Sequence, residues 1–358
     1  MNLVRFYIAV VVCLVISSVS VKAQDIHFSQ FYLSPLTLNP ALTGVTNCDI
    51  RFVANYRNQW GSVIQQDAYN TFQVSYDQKF PSGRYDNFGF GLSLLGDRAG
   101  ESSLSSLGGK ATVAYQRYMG GDRSKSHYLS AGAEIGANQR SIDFLSLRFG
   151  NQRDFSRPEN FDLSLPTNEI FGDDSFTYLD LGAGLAWYSV WSDIGSSFYA
   201  GIAAAHLNSP KVNFLDNSLG QEGAEIFTKI TGHMGAEIML NNKIGLVPNF
   251  VLLKQGPSQE INFGTAGKFL IERSKWAYKT FQAGAYLRIS NHFTESTITD
   301  AVIVHTRFDY NEFTVGFSYD VNVSSLKPAS NTAGAFELAL AYKICEGRQR
   351  AQGCPDNF

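Results

Sequence analysis

The sequence predicts an all-β protein: a closed, membrane-spanning antiparallel β-barrel of about 14 strands, preceded by a short segment that is either a plug or a periplasmic element. Three observations predict it. Apolar and polar residues alternate in segments of roughly 9 to 14 residues between positions 48 and 344, long enough for a tilted strand to cross a hydrocarbon layer. Glycine (32) and aromatic residues (27 Phe, 17 Tyr) are abundant while charged residues reach 17%. Past the first residues, the chain has no apolar run of roughly 18 residues, which excludes membrane helices.

Residues 1–23 read as a secretory signal peptide, with Arg5 at its start, an apolar core from Ile8 to Ile16, and Val21-Lys22-Ala23 as the cleavage site. Without Arg5 and Lys22, 27 basic face 32 acidic side chains, a net of −5, so nothing recommends nucleic acid as a partner. Residues 24–47 contain the uncharged stretch FSQFYLSPLTLNPALTG. Its prolines, Pro35 and Pro40, argue against regular structure and for a compact looped shape. Phe28, Phe31, Tyr32, Pro35, Leu38, Asn39 and Pro40 are the candidate plug or docking residues.

The barrel itself is expected over 48–344, with a periplasmic tail over 345–358. In IRFVANYRNQW, Ile50, Phe52, Ala54 and Tyr56 share one face, and Arg51, Val53, Asn55 and Arg57 share the other. The same period places Phe72, Val74 and Tyr76 opposite Gln73, Ser75 and Asp77, and the last segment sets Phe336, Leu338, Leu340 and Tyr342 against Glu337 and Lys343. Connections after the odd segments run from about 5 to 37 residues and those after the even ones from about 2 to 8, the loop asymmetry of an outer-membrane barrel. KQGPSQ is shorter than this scheme asks, and an even strand number returns both ends to the periplasm. A soluble sandwich would carry more charge on its outer faces, whereas the rows opposite the apolar face hold many Gly, Ala, Ser and Asn.

A barrel of this size is too wide for its own side chains to fill, and Gly89, Gly91, Gly182, Gly184, Gly316, Ala339 and Ala341 face inward. The lumen therefore conducts, or the N-terminal segment occupies it. Inward charges gather near the seam: Arg51, Arg57, His305, Arg307, Asp309, Asp320, Glu337 and Lys343. A structural ladder of cross-strand pairs accounts for them more simply than an ion pathway. Of the exported cysteines, closure puts Cys48 and Cys345 at one end, leaving a Cys48–Cys345 bridge and a local Cys345–Cys354 loop both open.

No catalysis, cofactor or metal is expected. The six His have no ligand spacing, and no nucleophile elbow or phosphate loop is present. Asp173, Asp174 and His206 would be the raw material of a surface protease, but acidic external loops are ordinary.

Several stretches resemble one family. DIHFSQFYLSPLTLNPALTG followed by YRNQW is similar to the opening of PorP/SprF-type outer-membrane proteins of the type IX secretion system. LGDRAGE, AHLNSPKV (205–212), GAYLR (284–288), FSYDVNVSSL (317–326), AFELALAY (335–342) and the terminal CPDNF add to the likeness. The chain departs from it at Ser209, where Gln is more frequent, and at Leu287, where Tyr is common. The resemblance implies a multi-pass outer-membrane protein that supports export or surface attachment of clients with C-terminal sorting domains, gliding adhesins among them. Its implied partners are the periplasmic ring, the translocon, those clients and outer-membrane lipid. A channel for small solutes, with the N-terminal segment as hatch, is the alternative, and a structural adhesin is a third. The external loop at 139–175 is a candidate contact for a surface partner.

Overall fold

The computed structural model describes residues 25–345 except 123, 157–160, 163, 168–172, 193–194, 213, 215–223, 275–276 and 292–296. The expected signal peptide and the tail with Cys354 lie outside the described residues.

Fourteen antiparallel strands close into a barrel, each pairing with its neighbours in chain order. They are β1 (Ile50–Gln59), β2 (Tyr69–Ser82), β3 (Asp86–Ala99), β4 (Leu104–Gly121), β5 (Lys125–Ser141), β6 (Ser175–Trp191) and β7 (Ser196–Ala205). Then follow β8 (Lys229–Met239), β9 (Ile244–Gln255), β10 (Ser258–Arg273), β11 (Tyr278–Asn291), β12 (Thr297–Tyr310), β13 (Phe313–Asn322) and β14 (Ala333–Ile344). The seam is an ordinary ladder in which Val53 faces Ala341 and Arg57 faces Glu337. A two-residue ribbon, Lys211–Val212 against Ala224–Glu225, stands apart in the connection after β7.

Alternation decides which side each residue takes. Phe52, Phe72, Leu94, Val113, Phe317 and Leu340 are exposed on the outer wall, where lipid meets them, while Arg51, Asn55, Arg57 and Gln73 are buried within. Connections between β2 and β3, β4 and β5, and the other even-to-odd pairs span at most four residues, and the opposite rim carries 142–174 and 206–228. The first rim is therefore periplasmic and the second external. Among the external connections shorter than the sequence suggests are the four residues after β3 (100–103) and the pair 256–257 within KQGPSQ. The reason is strand length: β3 and β4 run for 14 and 18 residues, β9 and β10 for 12 and 16, and they absorb residues expected in the loops. Register shifts at Arg288/Ile289 and at Asp320/Val321 fall near the external ends of β11 and β13. Such irregularities re-aim side chains, and both Arg288 and Asp320 point into the lumen cluster described below.

The N-terminal segment, Asp25 to Cys48, lies inside the barrel. It is not the irregular loop that its prolines suggest. It forms three single turns, Phe31–Leu33, Pro35–Leu38 and Pro40–Leu42, and both prolines open a turn. At a first helical position the missing N–H has no partner to lose and the fixed φ suits the turn, so proline starts these turns and does not prevent them. Nor do both ends of the described chain sit at the periplasmic rim. Strand number returns β1 and β14 there, but the segment leads back through the lumen, and Asp25 binds Gln255 at the external end of β9.

Phe31, Tyr32, Leu33, Leu38, Ala41, Leu42 and Val45 pack against Ala186, Tyr188, Tyr199, Val251, Tyr286, Ile303 and Ala339 of the wall. The hydrophobic core thus sits in the middle of a membrane barrel, and half of it comes from the segment. Burying each large apolar side chain contributes about 1.5–3 kcal/mol, an upper figure because unfolded chains already bury some surface.

Candidate functional site

The candidate site is the filled lumen. The segment descends from the external mouth to the periplasmic floor and touches all fourteen strands.

At the mouth, the Asp25 amide donates to Gln255 Oε1 at 2.7 Å, and Asp25 Oδ2 lies 2.5 Å from His206 Nε2. His206 Nδ1 is 2.8 Å from Asp180 Oδ1, and Lys110 bridges Asp180 (3.2 Å) and Glu134 (2.8 Å). Burial pushes the Asp25 carboxyl up, but Lys229 and His206 outweigh it and hold the group well below the usual carboxylate range. His27 sits 3.0 Å from Glu260.

One step deeper, Glu337 accepts two main-chain N–H groups, from Ser29 at 2.7 Å and Gln30 at 2.9 Å. The Ser29 hydroxyl donates to Asp320 (2.8 Å) and accepts from Arg57 (2.8 Å) and Arg288 (3.1 Å). Both guanidiniums also pair with Asp320, at 3.0 and 2.8 Å, and Arg57 pairs with Glu337. These charges are buried, and their mutual pairing, with Arg288 also held by Asp300 at 2.7 Å, offsets the cost of desolvation.

At mid-depth, the Tyr32 hydroxyl lies 2.8 Å from His305 Nδ1, and the Tyr32 ring rests on Phe31 and Tyr286. Asn39 uses both ends of its amide: Oδ1 accepts from the Ala41 N–H at 2.8 Å, and Nδ2 faces the Leu185 and Ile202 carbonyls and His233 Nε2. Two wall glycines make its niche. A Cβ on Gly184 would lie 2.0 Å from Asn39 Oδ1, and one on Gly201 2.9 Å from Nδ2.

At the floor, wall side chains hold the main chain. Ser130 donates to Ala41 O (2.6 Å), Gln116 to Thr43 O (2.9 Å), Lys79 to Thr46 O (2.8 Å), and Arg51 to both Leu42 O and Val45 O. Asp77 accepts the Gly44 N–H at 2.8 Å and is itself clamped by Arg51 at 2.7 and 2.9 Å. Close approach here requires glycine: a Cβ on Gly89 would lie 2.2 Å from Thr43 O. Cys48 and Cys345 then form a disulfide across the seam, with Cα atoms 4.4 Å apart.

Most of the residues singled out in the sequence fall on this path. Phe28, Phe31, Tyr32, Pro35, Leu38, Asn39 and Pro40 are all buried in the lumen. The charges do not form one cluster. Arg57, Asp320 and Glu337 meet near the mouth, Arg51 pairs with Asp77 near the floor, Arg307 pairs with Asp309 along β12, and His305 serves Tyr32 between them. His206 is far from a protease arrangement: it is buried between two carboxylates, while Asp173 and Asp174 are exposed. Sequence reasoning missed Arg288, Lys110, Asp180, Glu260 and Asp25 as members. Inward parity marks the strand residues among them, but Asp25 has no local signal, because its partner His206 is 181 positions away. Among the described residues no group of three or more His, Cys, Asp or Glu is arranged to hold a metal.

The family description "Type IX secretion system membrane protein PorP/SprF" matches residues 20–342. The chain belongs to the PorP/SprF family. It is an outer-membrane β-barrel of a secretion-system family that is not a known enzyme family. No curated protein matches it in sequence. Among solved structures it is similar to CdiB from Acinetobacter baumannii (8% identity, TM-score 0.43), with 82% of this chain and 60% of that one aligned. The Ralstonia pickettii toluene transporter TbuX gives 11% identity and a TM-score of 0.45, over 87% of this chain and 94% of that one. The translocator domain of the autotransporter NalP from Neisseria meningitidis gives 9% and 0.34, over 88% and 96%. The chain thus spans 60% of the length of CdiB. At these identities the likeness is one of fold alone.

Proposed function

We propose that this PorP/SprF barrel works in type IX secretion as a closed docking component, supporting export or surface attachment of proteins with C-terminal sorting domains, gliding adhesins included. One observation carries the reading: the lumen is occupied from mouth to floor by a segment bonded to wall strands throughout. A diffusion channel for small solutes needs an aqueous path that this segment takes up. The periplasmic ring and the translocon are its proposed partners on the inner side. On the outer side the 142–174 connection offers Leu145 and Phe155, 93% and 75% exposed, to a surface partner. Large apolar side chains left in water above a membrane favour protein contact.

The test compares cell-surface and periplasmic proteomes of a deletion strain with those of the complemented strain. Loss of one or a few large surface proteins, with their accumulation in the periplasm, is the expected result. An unchanged surface proteome, together with solute-selective conductance of the purified barrel, would overturn the proposal in favour of a channel.

A further inference from the structure

We infer that a proton held by His206 is the latch that pins the N-terminal end of the lumen segment at the external mouth. The geometry demands it. Each ring nitrogen lies within hydrogen-bonding distance of a carboxylate oxygen, Nδ1 at 2.8 Å from Asp180 and Nε2 at 2.5 Å from Asp25. Ionised carboxylates only accept, and a neutral imidazole has one N–H to give, so one contact would set lone pair against lone pair. An imidazolium satisfies both. The surrounding charges agree. Three carboxylates meet here, Asp25, Asp180 from β6 and Glu134 from β5, against two ammonium groups, Lys110 from β4 and Lys229 from β8. The imidazolium adds a positive charge in direct contact with two of the carboxylates; Tyr178 of β6 also faces Asp25 and Asp180, with the Arg140 guanidinium of β5 5.8 Å from its ring. Beside them His27 of the segment lies 3.0 Å from Glu260 of β10.

His206 follows the last residue of β7 and has φ of +57°, a left-handed conformation that turns its ring over the mouth, and its own N–H donates to Asp180 at 3.1 Å. Burial pushes the ring's pKa down, but hydrogen bonds to Asp180 and Asp25 prevail and raise it above its ordinary value of 6.5. A group whose folded pKa is raised contributes stability that is complete below its unfolded pKa and lost as pH rises through the folded one. The latch is therefore fully closed in mildly acidic medium and opens as pH rises through the raised pKa of the ring. Below it, the Ser29 and Gln30 contacts with Glu337 carry no such proton, so release is confined to the first residues.

The test uses the full chain in lipid nanodiscs with nitrogen-labelled histidine. Expected are two protonated ring nitrogens on His206 at pH 7. Amide exchange in residues 26–28, taken relative to 40–46 at the same pH, should rise roughly tenfold or more as that ring titrates, the opening expected on loss of one charge-assisted hydrogen bond. His206→Asn should show the high ratio at every pH while keeping the gel mobility of a folded barrel. A singly protonated ring at pH 7, or a ratio that does not change with pH in the unmodified chain, would overturn the inference. The wild-type titration decides the matter even if the variant does not fold.

Discussion

The two ends of the lumen segment are held in different ways. Near the mouth, Asp25 to Gln30 are fixed by charge: His206, Glu337, and the Arg57–Asp320–Arg288 group closing on Ser29. Near the floor, Ala41 to Cys48 are fixed by shape and by the main chain, with wall side chains on their carbonyls, wall glycines against them, and a disulfide beneath. Ionic contacts respond to protonation and to the loss of a single member. The floor has an ionic pair too, Arg51–Asp77, but there it is joined by neutral contacts to the main chain, close packing and a covalent link, so that no single protonation releases it. The difference makes the floor the firmer anchor and the mouth the conditional end of the segment.

Substitutions should separate the two modes. The largest effect is expected from Asp320→Ala, which leaves Arg57 and Arg288 buried without their shared partner and should cost about 3–5 kcal/mol in denaturant unfolding of the folded barrel. A loss below about 1 kcal/mol would show that the mouth is held by packing after all. Replacing both Cys48 and Cys345 by Ser should cost about 2–4 kcal/mol. The segment should nevertheless stay protected from added protease, because the carbonyl contacts at the floor remain. If protection vanishes, the covalent link and not the main-chain contacts seats the segment. Asn39→Ala, between the two modes, strips the Ala41 N–H and two wall carbonyls of a partner and should cost about 1–3 kcal/mol, read as a shift in unfolding midpoint. The smallest effect belongs to Thr43→Val, which removes one hydroxyl from the floor and should cost about 0.5–1.5 kcal/mol with no change in the pH response of the mouth.

Much of the barrel was legible in residues such as Ile50 to Gln59, where a strict period of two sorts Phe52 and Tyr56 to lipid and Arg51 and Arg57 to the lumen. Parity tells which way a side chain points, but not what it meets. Arg57 and Glu337 could be read as inward, and their meeting over Ser29 could not, since the contacts join positions 28 and 308 apart. The prolines of the segment were equally visible and were informative in the wrong sense: Pro35 and Pro40 start turns because their surroundings supply the helical geometry they fit.

By itself, then, the sequence determined the strand period, the sidedness of residues along the regular stretches of strand and the outer-membrane class, because these follow from local alternation and from what lipid accepts. The tertiary structure alone decided that the segment threads upward from Cys48 to Asp25, that its turns fit glycine niches on the wall, and that His206 closes on Asp25. Those features depend on distances across a closed lumen, which come into being only when the last strand meets the first.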